Sequence, residues 1–543
     1  MQRTKIKKHL VIVFLMTLIL ITYSFKSKFF EVAKQLEIYT ELYKELNMYY
    51  VHEINPAEFT NKAIKNTLKD LDPYTNYYDE QAVEEARIRR EGEYAGIGIS
   101  VYYDKKGIII TSVYKGYEAD RKGLKAGDII TKANGQQLQN IKQEQLSQFL
   151  KGTPNTSIQI EIDRQGEKKQ LTVVREKVVV NPVPFFDMID KETGYIVLTR
   201  FNEKASSEVK KAFTELKGKG MKQLVFDLRE NPGGSLFEAI NIANLFLPKG
   251  STIVTTRAKV KKWSNAYKAN KKPLDLDIPL TVLMNEKSAS ASEIVGGALQ
   301  DFDRAVVLGE RSFGKGLVQR YFPLTYGTQA KITISKYYTP SGRCIQELDY
   351  ASRNEDGVVP KFSDKAVAAF QTKNGRVVYD GGGIQPDIKI GFIKRTAATK
   401  KLLKSRAIFN FITYYYYKNP SIPEPETFEF KDFKKFQHYL SSIDTTFKTD
   451  QEALFLKAYN SIQDQGLLLK EYQQIQKKLT VEKIREVSMN KDYLEDLIQT
   501  QILERYHFKE GSFKNRLTTD NVILEAVKIL NDKSRYTEIL SGA

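Results

Sequence analysis

Apolar positions recur at helical spacing from Phe30 to about Lys69, through Leu36, Tyr39, Leu42, Leu46, Tyr49, Ile64 and Leu68, and predict two helices. The pattern breaks at Leu71-Asp72-Pro73-Tyr74-Thr75, because proline cannot continue a helix and restricts the residue before it. Such a stripe serves either a local core or a dimer face. From about Gly92 to Val178 the period shortens to two, predicting strands at Gly96 to Tyr103, Ile108 to Val113, Asp128 to Ala133, Ser157 to Asp163 and Gln170 to Val174. Gly123 to Asp128 and Asn134-Gly135 supply turns, so this stretch is a compact, mostly β module.

Strands and helices then alternate. Strands are expected at Tyr195 to Arg200, Gln223 to Leu228, Thr252 to Thr256, Leu280 to Met284 and Ala305 to Gly309. Helices are expected at Ser206 to Lys217, Leu236 to Phe246 and Ser290 to Leu299. This alternation implies right-handed crossovers and a largely parallel sheet, whose ligands gather at the strand ends. Beyond about Arg395 the pattern is helical again, at Leu402 to Tyr417, Phe433 to Leu440 and Val522 to Leu530, the last with Thr519 and Asp520 as candidate caps. That tail reads as an accessory helical domain. The expected division is 1–29, 30–91, 92–178, 179–394 and 395–543.

With 543 residues the chain exceeds one hydrophobic core, and 41% hydrophobic with 28% charged residues is ordinary for a folded protein. A net charge of +18 invites a nucleic-acid reading, but the lysines are spread along the chain without zinc-finger spacing or a compact basic helix. Attraction to anionic lipid headgroups fits better, and no nucleic-acid partner is expected. Cys344 is the only cysteine, so neither an intrachain disulfide nor a cysteine-based zinc cluster can form. The start, Met-Gln-Arg-Thr-Lys-Ile-Lys-Lys-His, precedes an apolar run from Leu10 to about Ile21 without a small-x-small cleavage site. A retained signal anchor is expected ahead of a cleaved signal peptide, and either way the rest of the chain is exported.

Three loops carry candidate chemistry. Asn285 to Glu293 lies where an apolar strand turns into a helix, and Ser290 there would present its hydroxyl where free backbone N–H groups can stabilise an oxyanion. Alone, a serine at a helix start is usually a cap. Phe313-Gly314-Lys315-Gly316 follows, Lys315 standing twenty-five residues after Ser290. A lysine acts as a base only when uncharged, and burial against a group such as Phe313 would favour that state. Alone, it reads as a solvated turn lysine. Asp227 to Gly234 ends in tandem glycines whose N–H groups could face a pocket; alone it is a plain β-to-α turn. Of the four histidines, His9, His52, His438 and His507, none lies between residues 53 and 437, which removes the imidazole that a Ser-His-Asp site needs.

Together, Asp227-Leu228-Arg229 to Gly234, Ser288-Ala289-Ser290-Ala291-Ser292-Glu293 and Gly309 to Gln319 resemble the C-terminal processing peptidases, also called tail-specific proteases. The likeness runs from Leu71-Asp72-Pro73 to Gly383-Ile384-Gln385-Pro386-Asp387. It implies a multidomain α/β protein: a crotonase-like protease core, an inserted PDZ domain, an N-terminal helical segment and a C-terminal helical domain. It further implies Ser290 as nucleophile, Lys315 as general base and Gln319, one helical turn later, as the residue orienting the lysine. Gly234 and Ala291 would be the oxyanion donors, and Asp301 a supporting residue. Tyr94-Ala95-Gly96-Ile97-Gly98-Ile99 resembles the PDZ loop that captures a terminal carboxylate, while the adjacent strand edge adds a peptide strand.

The expected function is cleavage of exported proteins near their flexible C-terminal tails, without metal or cofactor, in the periplasm and tethered to the inner membrane. The sequence leaves the oligomeric state open, a dimer through the N-terminal helices being one arrangement. The rivals are a non-catalytic PDZ scaffold and an acyl-coenzyme A enzyme sharing the fold.

Overall fold

The computed structural model describes residues 29–141, 149–354, 357–362, 367–391, 394–444, 446–462 and 465–542. The expected anchor at Leu10 to Ile21 lies outside the described residues. Among those that are described, no helix is long and apolar enough to cross a membrane.

Two helices form at the N-terminal end, over 29–49 and at Pro56–Lys69, the second capped by Asn55 through the Glu58 N–H. The first is not wrapped into a local core: Leu36 is 63% exposed and Tyr49 72%. A third helix, Glu80–Glu91, starts at an Asp79 cap and ends at Gly92 in the left-handed region. The mostly β module holds a sheet in the order Ile99–Asp104, Gly107–Val113, Ile129–Ala133, Ser157–Arg164, Glu167–Val174. The single strand expected from Gly96 to Tyr103 is two: Glu93–Gly96 leaves the sheet to pair with Glu176–Val179.

The central sheet runs Phe185–Met188, Thr193–Val197, Gln223–Asp227, Leu280–Met284, Val306–Gly309, Ile388–Lys389, parallel except for the first pair. The 252–256 strand does not join it. Thr252–Ala258 belongs to a second, antiparallel sheet with Gln329–Tyr338, Leu317–Pro323, Ala266–Lys268 and Asn76–Tyr78.

Side chains alternate across each central strand. Ile196, Leu224, Phe226, Val282, Met284 and Val307 face the helices Ala205–Gly218, Leu236–Asn244 and Ala291–Asp301. Tyr195, Val197, Val225, Leu283, Val306 and Leu308 pack with Phe513, Ile523, Ala526, Ile529 and Leu530. The helix Asn521–Asn531 therefore covers the second face of the sheet, so the C-terminal region is more than an accessory. Buried on both faces, the strands read as continuous apolar runs. Asp520 is the cap of that helix, accepting from the Val522 and Ile523 N–H groups, whereas Thr519 ends the preceding one. The helix expected from Leu402 to Tyr417 is two, Ala397–Lys404 and Ala407–Lys418, interrupted at Ser405-Arg406.

Candidate active site

The strand Leu280–Met284 feeds the loop in which Ser288 ties itself down, its hydroxyl donating to the Leu228 carbonyl at 2.8 Å. Two residues on, Ser290 sits at φ 56° and ψ −109° immediately before the helix Ala291–Asp301. This conformation costs a non-glycine residue on the order of 1–3 kcal/mol and persists only where surrounding bonds over-determine it. Here they do. The Ser290 N–H donates to Glu293 Oε2 at 2.6 Å, and the Ser290 carbonyl accepts from the Tyr337 hydroxyl at 3.1 Å.

The tandem glycines lie directly against this turn. A Cβ on Gly233 would stand 3.0 Å from Ser290 Cβ and 2.9 Å from the Ala291 nitrogen, and one on Gly234 2.3 Å from the Phe201 carbonyl oxygen. Both residues have positive φ, so only glycine fits. The Phe201 N–H donates to the Gly233 carbonyl at 3.1 Å, and the Ser235 N–H to the Phe201 carbonyl at 2.8 Å. That bridge leaves the Gly234 N–H outside it. Neither this N–H nor that of Ala291, the first residue of its helix, has a protein acceptor among the described residues. Two unpaired donors in loops that meet at the Ser290 turn suit a developing oxyanion.

Lys315 arrives on the loop after Val306–Gly309 and is bound to the Ser290 turn through one carboxylate. Glu293 Oε2 accepts the Lys315 N–H at 3.0 Å, and Oε1 accepts the Gly314 N–H and the Ser312 hydroxyl, both at 2.6 Å. Glu293 is fully buried, and burial raises its carboxyl despite these donors. Sequence reasoning assigned it no role, although Ser290-x-x-Glu293 has the spacing of a capping box. The Lys315 amine lies 4.2 Å from the centre of the Tyr74 ring. Burial, reinforced by the charge of Lys331, lowers it to about 8, against the opposing pull of Glu293 and Asp72. Phe313, expected beside the amine, is instead 45% exposed.

Gln319 is on the strand Leu317–Pro323, not one helical turn along, because this segment pairs with Gln329–Tyr338. Its amide donates to Thr333 Oγ1 at 3.2 Å, and Thr333 Oγ1 donates to Asp72 Oδ1 at 3.1 Å, with no bond to the Lys315 amine among the described residues. Asp301 ends the helix that Ser290 caps, about 16 Å away at the helical rise. It pairs with Arg343 at 2.7 Å, both side chains 0% exposed, and accepts the Ser341 N–H at 2.9 Å. Its place is in the fold, away from Ser290 and Lys315.

In the β module, Tyr94, Ala95 and Gly96 lie in the Glu93–Gly96 strand, Ile97 and Gly98 in the connection, and Ile99 opens an edge strand with one neighbour. The Ile97 and Gly98 carbonyls accept from Ala119 and Tyr114 N–H groups, at 2.9 Å each, while their own N–H groups have no protein acceptor among the described residues. On that edge the Ile99 carbonyl accepts from the Tyr94 hydroxyl at 3.3 Å; a strand edge next to free N–H groups matches the geometry that receives a chain terminus.

Residues 192–362 match the model of "Peptidase family S41", residues 85–163 "PDZ domain" and residues 398–530 "Probable PDZ-protease, C-terminal helical domain". A carboxy-terminal-processing protease of Bartonella bacilliformis is 35% identical over 321 residues, 58% of this chain and 73% of that protein. The chain belongs to peptidase family S41. A Staphylococcus aureus protein named "Probable CtpA-like serine protease" is 34% identical over 307 residues, 56% of this S41 chain and 61% of the relative. The chain thus spans about three-fifths of that relative's length. A solved structure titled as the photosystem II D1 C-terminal processing protease aligns over 65% of this chain and 92% of its own, at 24% identity and a TM-score of 0.36. The architecture is that of an S41 core with an inserted PDZ domain between helical N- and C-terminal regions.

Proposed function

We propose that this S41 chain is a serine endopeptidase that cuts exported proteins at or near their C-terminal tails, with Ser290 as nucleophile and Lys315 as general base. The observation that carries this reading is the shared carboxylate: Ser290 and Lys315 hang by their backbone N–H groups from the same Glu293 oxygen. Neutral Lys315 takes the Ser290 proton, the hydroxyl oxygen attacks the peptide carbonyl, and the Gly234 and Ala291 N–H groups hold the oxyanion. The leaving amine takes the proton back from Lys315, and water, deprotonated by the same lysine, hydrolyses the acyl-enzyme. Gln319 acts at one remove, through Thr333 and Asp72 on the wall beside the lysine. The N–H groups of Ile97 and Gly98 receive the substrate's terminal carboxylate, and the strand edge opened by Ile99 receives the tail, which displaces the Tyr94 hydroxyl from the Ile99 carbonyl. The N-terminal apolar run tethers the protein to the inner membrane on its outer side, and the exposed helix over 29–49 pairs with a second copy.

The test is cleavage of a protein with a flexible tail. Ser290→Ala and Lys315→Ala should each abolish cleavage while leaving tail binding by the PDZ domain intact. Residual processing by Ser290→Ala would sink the nucleophile, and a wild-type chain that binds tails without cutting any would make it a scaffold. Only the neutral amine accepts a proton, so kcat/KM should climb with pH through about 8.

A further inference from the structure

The segment Leu71–Thr75, which ends the N-terminal helical region in sequence, is built into the wall of the active site. Asp72 shapes it, Oδ1 accepting the Tyr74 and Thr75 N–H groups at 2.8 and 2.9 Å and Oδ2 the Thr75 hydroxyl at 2.8 Å. The segment is then pinned to the strand Gln329–Tyr338: the Thr333 N–H donates to Thr75 Oγ1 at 3.2 Å, and Asn76–Tyr78 pairs with Gln329 to Lys331. So held, the Tyr74 ring lies over the Lys315 amine, 4.2 Å from its centre. Its own orientation is set by Tyr350, whose ring stands perpendicular to it with the centres 6.1 Å apart.

We propose that Tyr74 is a positioning residue for Lys315, its ring confining the lysine side chain and screening the amine from water. The inference rests on the reading of Lys315 as general base. A ring face has two opposite effects on an amine: its quadrupole attracts the ammonium form, and its bulk displaces the water that ammonium needs. Lys315 has no carboxylate ion pair and no hydrogen bond to its amine among the described residues, so displaced water is not replaced. The charged groups facing it from the other packed elements are Lys331 on the neighbouring strand, Glu293 on the helix and Asp72 on the segment itself. Opposed charges there partly cancel, and dehydration decides the protonation state. Phe313, the aromatic neighbour in sequence, is turned to the surface and cannot serve.

The proposal separates three substitutions. Tyr74→Phe keeps the ring and should leave the pH at which kcat/KM rises where it is. Tyr74→Leu keeps the amine dry and should also hold that pH near the wild-type position, with a lower plateau from looser confinement. Tyr74→Ala admits water and should move the rise upward toward the ordinary lysine value, with about tenfold less activity at neutral pH for each unit moved. In parallel, the pH dependence of acetic anhydride labelling of Lys315, read by mass spectrometry in a Ser290→Ala background, follows the amine without a substrate. It should move upward in the Tyr74→Ala background. A pH rise and labelling curve unchanged by Tyr74→Ala, or displaced equally by Tyr74→Phe, would overturn the proposal. Activity surviving in Lys315→Ala would overturn the dyad instead, so the two failures are distinguishable.

Discussion

The two faces of the central sheet are covered by parts of the chain with different histories. One face packs against helices that follow their own strands by a short turn, such as Ala205–Gly218 after Thr193–Val197. The other waits for Ile523, Ile529 and Leu530, more than two hundred residues after Leu308 on the fifth strand. Local crossovers make the first face; a distant helix completes the second. The difference teaches that the protease core and the C-terminal region form one hydrophobic unit. The contact is polar as well: Arg229, beside the glycine loop, bonds both Asp227 and, at 2.8 Å, Asp520 at the head of the covering helix.

The largest effect should follow from removing residues 521–543. Six apolar strand residues then lose their cover, and at about 1.5–3 kcal/mol for each buried aliphatic or aromatic side chain the loss rivals the whole of an ordinary domain's stability, about 5–15 kcal/mol. The truncated chain should lack a cooperative melt by circular dichroism; a native-like melt would break the claim that the faces share one core. A finer comparison sets Ile523→Ala against Ile242→Ala, each side chain being 0% exposed on opposite faces. Each should cost about 2–5 kcal/mol in urea titrations, and near-zero cost for Ile523→Ala alone would mark the far face as loosely docked.

Asp520→Ala comes next, at about 2 kcal/mol. Removing one partner of a buried pair strands the other, but Arg229 and Asp520 keep 14% and 15% exposure, which softens the loss. Burial alone would raise the Asp520 carboxyl; Arg229 and Arg516 hold it below the ordinary range. Its folded value being lowered, its contribution is fully present above the ordinary aspartate value near 4 and disappears as pH falls through the lower folded value. The wild-type advantage over Asp520→Ala should therefore persist at pH 5 and shrink toward pH 3. An advantage flat over that interval would assign the cost to packing instead of charge.

How far all this is legible in the sequence depends on the distance over which each feature is determined. Thr193–Val197, Gln223–Asp227 and Leu280–Met284 are legible because a strand buried on both faces is mainly apolar, and the glycines and serines at their ends mark turns whose chemistry is local. The glycine loop packs against the Ser290 turn, through Gly233 against Ser290 and Ala291. Glu293 was readable as a cap, but its bonds to Gly314 and Lys315 depend on a loop twenty residues on. Tyr74 left no local signal: its value lies in a contact with a residue 241 positions away, whereas the adjacent Phe313 looks the better neighbour and is not. Gln319 reads as helical by spacing, yet its segment pairs with a strand that no pattern near it announces. The second face of the sheet is silent for the same reason, since an amphipathic helix at 521–531 does not name its partner.

The smallest effect belongs to the rim of the C-terminal region. There Lys115 of the PDZ domain meets Glu510 at 2.9 Å, with side chains 64% and 44% exposed, and Arg406 reaches Asp104 and the Tyr102 hydroxyl. An exposed pair contributes about 0–1 kcal/mol and weakens with salt, so Lys115→Ala should hardly change the melting temperature. The comparison it sharpens is between two attachments of one helical region. If the region is built into the core through Ile523 and only leans on the PDZ domain, Lys115→Ala should speed hydrogen exchange in the PDZ domain while leaving the central sheet protected. Equal loss of protection in both would mean that the PDZ domain, like the far face of the sheet, is held by the C-terminal helices as part of a single cooperative unit.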